Sequence, residues 1–252
     1  MLVASRYVPR GRADMGWFGR LLSQILSRTY RRALSLRDLS SGFRMYRRYV
    51  LRGLALEARD FDVLEELLIR VHTEGWQIVE VPFHYRSRGS GRARARLFKF
   101  GSAFAKTLVR MWQLRNSVAS ADYDYRAFDS RIWLQRSWQR ARHRIVLGCL
   151  ESREGVVEVG CGSSRIVLDL PDALGVDTLQ SKLRWLGSRH RPLVRASGDR
   201  LPLRDGGVAT LITSEVIEHV PNAPDDTRRG SPRSSGRSAT RSSTAGTSAS
   251  AR

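Results

Sequence analysis

The segment Val156-Val-Glu158-Val-Gly160-Cys-Gly162 places two glycines directly after a short apolar run. Lacking side chains, they let backbone approach a ligand closely. Asp177 follows Gly160 by 17 residues, at the end of a second apolar run. An acid there is placed to accept hydrogen bonds from a ribose diol. Glu218-His219 has the residue types for acid–base chemistry, but such a pair is more often structural. Two Asp-x-Asp spacings occur. Asp60-Phe-Asp62 falls at a helix start and Asp122-Tyr-Asp124 in a connector, so neither is well placed to hold a metal. Cys149 and Cys161 lack zinc-site spacing and are too few for a disulfide scaffold.

The elements that must position these residues follow from periodicity. Phe18 to Leu34 reads as a helix, with Phe18, Leu21, Leu22, Ile25 and Leu26 at helical spacing. Ser40-Ser41-Gly42 is a turn before Phe43 to Tyr46. Asp62 to Glu74 is a second helix, closed by Gly75, and Trp76 to Tyr85 is a strand in which Pro82 marks an edge or an end. Residues 92–116 mix arginines with Leu97, Phe98, Phe100, Phe104 and Trp112. They suit either a helix lying in a membrane interface or a surface helix packed on the core. Residues 117–150 form a connector, irregular over Ala121 to Arg126 and helical from Ser130 to Leu150, with Trp133 and Trp138 as packing residues. Strands at Gly155–Val159, Ala173–Val176, Leu193–Ala196 and Val208–Thr213 alternate with helices, which implies a parallel sheet. Residues 226–252 carry no aromatic, Leu, Ile or Val and are expected to be disordered.

Composition bounds the function classes. The 252 residues carry a formal net charge of +20. Only Lys99, Lys106 and Lys182 are lysines, so the charge is a bias to arginine of the kind GC-rich coding produces. It is spread along the chain without an aromatic-interleaved patch, which argues against nucleic acid as the partner. No run of about 18 apolar residues exists to span a membrane. The start lacks the apolar core of a signal peptide, so the expected location is cytoplasmic, peripheral at the inner membrane face if 92–116 docks there.

Two family resemblances overlay this reading. Glu158-Val-Gly-Cys-Gly-Ser-Ser, Gly175-Val-Asp177, Leu201-Pro-Leu203 and Ser214-Glu-Val-Ile-Glu-His-Val resemble the class I S-adenosylmethionine-dependent methyltransferases of type 11. The resemblance implies a Rossmann-like domain over 151–225 and S-adenosylmethionine as cofactor. Glu158, Gly160 and Gly162 would lie near its methionine end and Asp177 on the ribose. Ser197 or Asp199 would lie near the adenine, and Ser214 and Glu215 would follow the fourth strand. A small molecule would accept the methyl group. Val208-Ala209 departs from the family's Phe-Asp, and nothing after Pro221 resembles the rest of the domain.

Ser5-Arg6-Tyr7-Val8-Pro9, Arg20-Leu-Leu-Ser23, Asp38-Leu-Ser-Ser-Gly-Phe-Arg44, Glu66 and Glu80-Val-Pro-Phe resemble the inverting family 2 glycosyltransferases of the dolichol- or polyprenol-phosphate mannosyltransferase kind. That resemblance implies the C-terminal half of a GT-A domain over 1–116, with 92–116 as interface helices. Arg6 and Arg20 would grip the phosphate of a polyprenyl acceptor. The family's divalent metal is also implied, but the Asp-x-Asp that would hold it is absent from this chain. Together the resemblances imply an α/β chain in four parts, 1–116, 117–150, 151–225 and 226–252, read as a fragment of a bifunctional transferase. The alternatives are a non-catalytic membrane-surface protein and a basic nucleic-acid binder.

Overall fold

A computed structural model describes residues 1–14, 16–31, 34, 36–58, 62–86, 97–214 and 216. The expected tail at 226–252, and all but Ser214 and Val216 of the helix expected from Ser214 to Val220, lie outside these residues.

The architecture is mixed α/β with parallel sheets. The first half contains β1 (Leu2–Ser5), β2 (Arg12–Asp14), α1 (Trp17–Arg31), β3 (Arg44–Met45), α2 (Arg48–Leu51), α3 (Val63–Thr73), β4 (Val79–Pro82), β5 (His84–Arg86) and α4 (Leu97–Asn116). Its main sheet has the order β3-β1-β4, with β1 parallel to β4 and antiparallel to β3. Proline is tolerated in β4 because that strand lies at the sheet edge. The single strand expected over Trp76–Tyr85 is instead two. At Phe83 the chain changes partner: its N–H donates to the Ser5 carbonyl, and its own carbonyl accepts the Arg12 N–H. β5 then pairs in parallel with β2.

Val3, Leu34, Leu39, Leu68, Ile69 and Met111 form the core of this half. Of the residues that mark an apolar face on α1, the side chains of Phe18, Leu22 and Leu26 lie outside the described ones, and the other two point outward. Ser23 and Ser27 are buried, while Leu21 and Ile25 are exposed. Inward-facing serines have a polar partner to meet, described below. In α4, Thr107, Met111 and Arg115 face inward at a spacing of four, and Val109 and Trp112 face outward.

The connector is structured. It carries α5 (Tyr123–Ala127) and α6 (Trp133–Gly148). Ala121 and Asp122 are buried where irregular polar chain was expected. Trp133 and Trp138, expected to pack, are 69% and 60% exposed. α6 is anchored on its other side, through Val146 and Leu147 against Val156, Ile166 and Ile212.

The second half contains β6 (Val156–Val159), α7 (Arg165–Asp169), β7 (Leu174–Asp177), α8 (Gln180–Leu186), β8 (Leu193–Arg195) and β9 (Thr210–Thr213). All four strands are parallel, in the order β8-β7-β6-β9. Parallel neighbours require crossovers, which α7 and α8 supply. β6 has a strand on each side and all four of its residues are buried. No helix among the described residues is long and apolar enough to cross a membrane.

The halves meet at the end of α3. Gly75 has φ +80° and lies so close to α8 that a Cβ there would stand 2.2 Å from the Ser181 carbonyl oxygen. Thr73 accepts the Ala121 N–H at 2.9 Å. Asp122 receives both terminal nitrogens of Arg115, with Nη2 at 2.6 Å from Oδ2, and the Ser120 hydroxyl at 3.0 Å. His72 Nε2 stands 3.7 Å away. Burial alone would raise the Asp122 pKa. Nearby His72 and the Arg115 charge and hydrogen bonds outweigh it and hold the carboxyl well below its ordinary range.

Removing one member of a buried ion pair strands the other. Asp122→Ala is therefore expected to cost about 3–5 kcal/mol in urea unfolding. A loss under about 1 kcal/mol would place the pair among weak surface bridges.

Candidate functional site

Two polar constellations carry the residues singled out by sequence. The first is centred on Arg6, just past β1. Its N–H and Nε both donate to Asp38 Oδ2, at 2.9 and 2.7 Å, and Nη2 donates to Oδ1 at 2.7 Å. Nη2 also reaches Ser40 Oγ at 2.7 Å and Ser23 Oγ at 3.2 Å. Ser23 is the inward face of α1. Asp38 is fully buried. Its own N–H, and that of Arg37, donate to the two oxygens of Glu80, each at 2.9 Å. The rings of Tyr7 and Tyr85 lie 5.3 and 5.8 Å from the guanidinium carbon. One edge of the arginine fork is thus committed to Asp38. Nη1 makes no hydrogen bond among the described residues.

Arg20 does not join this cluster. It is exposed, and its Nη2 donates to the Ala13 carbonyl at 2.9 Å. Glu66 has a structural task. Its carboxylate takes the N–H groups of Glu57 and Ala58, Arg70 Nε at 2.7 Å and Arg110 Nη2 at 3.0 Å. It thereby ties α3 to α4. Ser40 and Tyr85 were not singled out as individual residues by sequence reasoning. Ser40 was visible within a quoted motif, whereas nothing marked Tyr85.

The second constellation lies at the C-terminal ends of β6 and β7. The N–H groups of Gly160 and Cys161 both donate to the Val176 carbonyl, which folds the turn back over β7. The Gly162 N–H donates to Asp177 Oδ2 and the Leu179 N–H to Oδ1, both at 2.7 Å. Gly162 has φ +53°, and a Cβ there would stand 2.5 Å from Asp124 Oδ2. That Asp124 oxygen accepts from Ser163 N and Oγ at 3.1 and 3.2 Å and from Lys182 Nζ at 2.8 Å. The connector therefore places a carboxylate directly against the glycine turn.

Glu158 is buried beneath the turn. Ser164 Oγ donates to it at 3.1 Å while accepting the Ile166 N–H, which caps α7. Burial pushes the Glu158 carboxyl up to about 8, so it is protonated at neutral pH. Ser214, at the end of β9, accepts from Arg142 Nε at 2.8 Å. Ser197 follows β8 and is half-buried, and Asp199 is exposed. The Ser197 side chain holds the Asp199 carboxyl below its ordinary pKa. The sheet thus gathers Gly160, Gly162, Asp177, Ser197 and Ser214 at one end, with Glu158 below. Glu215 lies outside the described residues.

The Asp-x-Asp spacings do not act jointly. Asp60 lies outside the described residues, and Asp62 Oδ2 accepts from Thr107 Oγ1 at 2.6 Å. Asp122 and Asp124 serve the two separate networks above. Among the described residues no group of three or more His, Cys, Asp or Glu is placed to hold a metal ion.

No family model and no solved structure matches the chain. Two curated proteins do. A polyprenol monophosphomannose synthase of Mycolicibacterium smegmatis is 30% identical over 129 residues, which are 48% of this chain and 47% of that protein. A dolichyl-phosphate hexose transferase of Haloferax volcanii is 33% identical over 94 residues, 37% of this chain and 38% of that protein. The chain spans less than half the length of either relative. These similarities support a part resembling the family 2 glycosyltransferases, and neither relative is named for methyl transfer.

Glu158 gives a pH test of the turn. Its folded pKa, about 8, lies above the ordinary 4.5, so folding binds a proton. The stability it contributes is complete below the unfolded value and is lost as pH rises through the folded one. Glu158→Gln keeps the neutral shape and removes the titration. Between about pH 5 and 8 the native protein should lose thermal stability that the variant retains. Parallel melting curves for the two would refute the buried neutral acid.

Proposed function

We propose that the chain is part of a two-headed transferase whose first half handles the phosphate of a polyprenyl acceptor during glycosyl transfer from a nucleotide sugar. The observation that carries this reading is the similarity to two sugar transferases named for polyprenol and dolichyl phosphates. The Arg6 constellation supports it chemically. A lipid phosphate is ionised at neutral pH and attacks a sugar carbon without a protein base. The demands on the protein are to position two anions and to stabilise the leaving diphosphate. Arginine suits the acceptor phosphate through its planar fork. Here Asp38 orients that fork and leaves Nη1 without a hydrogen bond among the described residues. Arg20, exposed on α1, would add a second charge at longer reach. The outward Val109 and Trp112 of α4, with Lys106 exposed nearby, fit a peripheral location at the inner face of a membrane. The family's divalent metal does not fit the described residues, and no step is assigned to it.

For 151–225 we infer a class I methyltransferase-like half, a Rossmann-like partner to the GT-A-like part over 1–116. It is supported by the strand order β8-β7-β6-β9, the glycine turn and Asp177 at the end of β7. This donor set fits a ribose-bearing nucleoside, for which Asp177 would hold the diol. S-adenosylmethionine, when bound, supplies an activated methyl group on a sulfonium. Transfer of that methyl to a small-molecule acceptor needs chiefly positioning. Glu158 supports the turn from below, and Ser197, Asp199 and Ser214 line the same end of the sheet.

Two measurements check these readings. Vesicles doped with polyprenyl phosphate should pellet more of the protein than vesicles of equal charge made with phosphatidylglycerol; equal pelleting would overturn the first. In equilibrium dialysis S-adenosylmethionine should bind, with affinity reduced about tenfold or more in Asp177→Ala. An absence of binding at millimolar cofactor would overturn the second.

A further inference from the structure

A cleft of about 1200 Å³ lies between the two halves. One wall is the row Met45, Leu2, Val79 at one end of the first sheet, where Leu2 is the register partner of both others. The opposite wall is α8 and the free edge of β8. Among the described residues four arginines line it, Arg47 on the first wall and Arg184, Arg191 and Arg195 on the second, and no Asp or Glu does. It shares no residue with the Arg6 constellation or the glycine turn.

Three of these side chains, Arg47, Arg184 and Arg195, are anchored, and Arg191 is an exposed charge beside them. Arg184 lies 3.9 Å over the Trp76 ring and donates to the Glu74 carbonyl oxygen. Arg195 Nε donates to the Thr178 carbonyl at 3.0 Å, which fixes the stem and leaves both terminal nitrogens uncommitted. Arg47 Nη1 donates to the Tyr49 hydroxyl at 3.0 Å. Anchored arginines give up less rotamer freedom when they bind. Arg184 shares its charge with Glu74, whose Oε2 is 3.5 Å away. Arg47, Arg191 and Arg195 have no ion-pair partner among the described residues, so the cleft keeps an uncompensated positive charge on both walls. Its floor is apolar and aromatic: Tyr49 and Trp76 pack with ring centroids 5.2 Å apart, beside Val50 and Leu183.

Charge on two facing walls suits a ligand with two adjacent anionic groups, and the floor suits an attached apolar or aromatic body. The volume exceeds the roughly 300–1000 Å³ of ordinary small-molecule sites, room enough for a diphosphate with an attached group. We propose that this cleft binds a diphosphate ester, clamped between the halves. The proposal is independent of both transferase readings, because it uses none of their residues.

The test is calorimetric titration of the full chain with sodium pyrophosphate at physiological salt. Saturable binding is expected, weakened about tenfold or more in Arg191→Gln/Arg195→Gln. Arg153→Gln/Arg204→Gln removes the same charge from exposed arginines outside the cleft and should leave binding unchanged. Both pairs are on the surface, and circular dichroism verifies that each variant is folded. Equal losses in the two double variants would reduce the effect to net charge and overturn the site. So would an absence of saturable binding at millimolar pyrophosphate. Uridine diphosphate and geranyl diphosphate then separate the sources, each judged by its loss in the cleft variant. Tighter binding of the first assigns a nucleotide and of the second a prenyl lipid; neither being tighter confines recognition to the diphosphate itself.

Discussion

A carboxylate taken out of water must find donors, and the segment from Ala121 to Asp124 is built around two, buried Asp122 and half-buried Asp124, facing opposite ways. Asp122 takes Arg115 from the first half and Ser120 just before it in the connector. Asp124 takes Ser163 and Lys182 from the second. Between them α5 begins, and Ala121 packs with Cys161, Leu183 and Trp185 while its N–H is held by Thr73. Unpairing Asp122 would leave a charge in low dielectric, which costs several kcal/mol, and losing Asp124 would strand the buried Lys182 ammonium. The connector therefore acts as a joint with a fixed setting. The position of the glycine turn relative to α3 and α4 follows from these two side chains.

The same device, a carboxylate organising backbone N–H groups and an arginine, recurs in the first half. Glu80 on β4 holds the N–H groups of Arg37 and Asp38, and Asp38 in turn holds Arg6. The order of dependence runs from the strand to the loop to the arginine. The steps at Asp38 and Arg6 satisfy part-buried donors that would otherwise be left unpaired. In a chain of net charge +20 these few buried acids decide where arginines stop being solvated surface and become oriented groups.

Sequence made the strands of the second half legible. Buried parallel strands read as short apolar runs, and Gly160 and Asp177 punctuate two of them. The end of α3 was legible because Gly75 terminates it. Direction was harder. Periodicity in α1 marked a face with Leu21 and Ile25 but not which way it points. The helix turns Ser23 inward because Arg6 lies there, a long-range fact no local pattern carries. Trp133 and Trp138 were expected to pack because large aromatic residues usually do. α6 instead takes its anchorage from Val146 and Leu147 near its C-terminal end. Asp122 and Asp124 were weighed for metal-ligand spacing. Two residues apart at the start of a short helix, their side chains diverge into separate networks.

The arginines of the cleft also bear on why two sheets with open sides stay apart. β8 is an edge strand with unpaired backbone groups, and such edges invite pairing. Arg195 sits on that edge and Arg191 just before it, opposite Arg47 beyond β3. Like charge on facing walls disfavours collapse of one sheet onto the other and keeps the space between them solvated. An anion entering that space would remove the repulsion that holds it open.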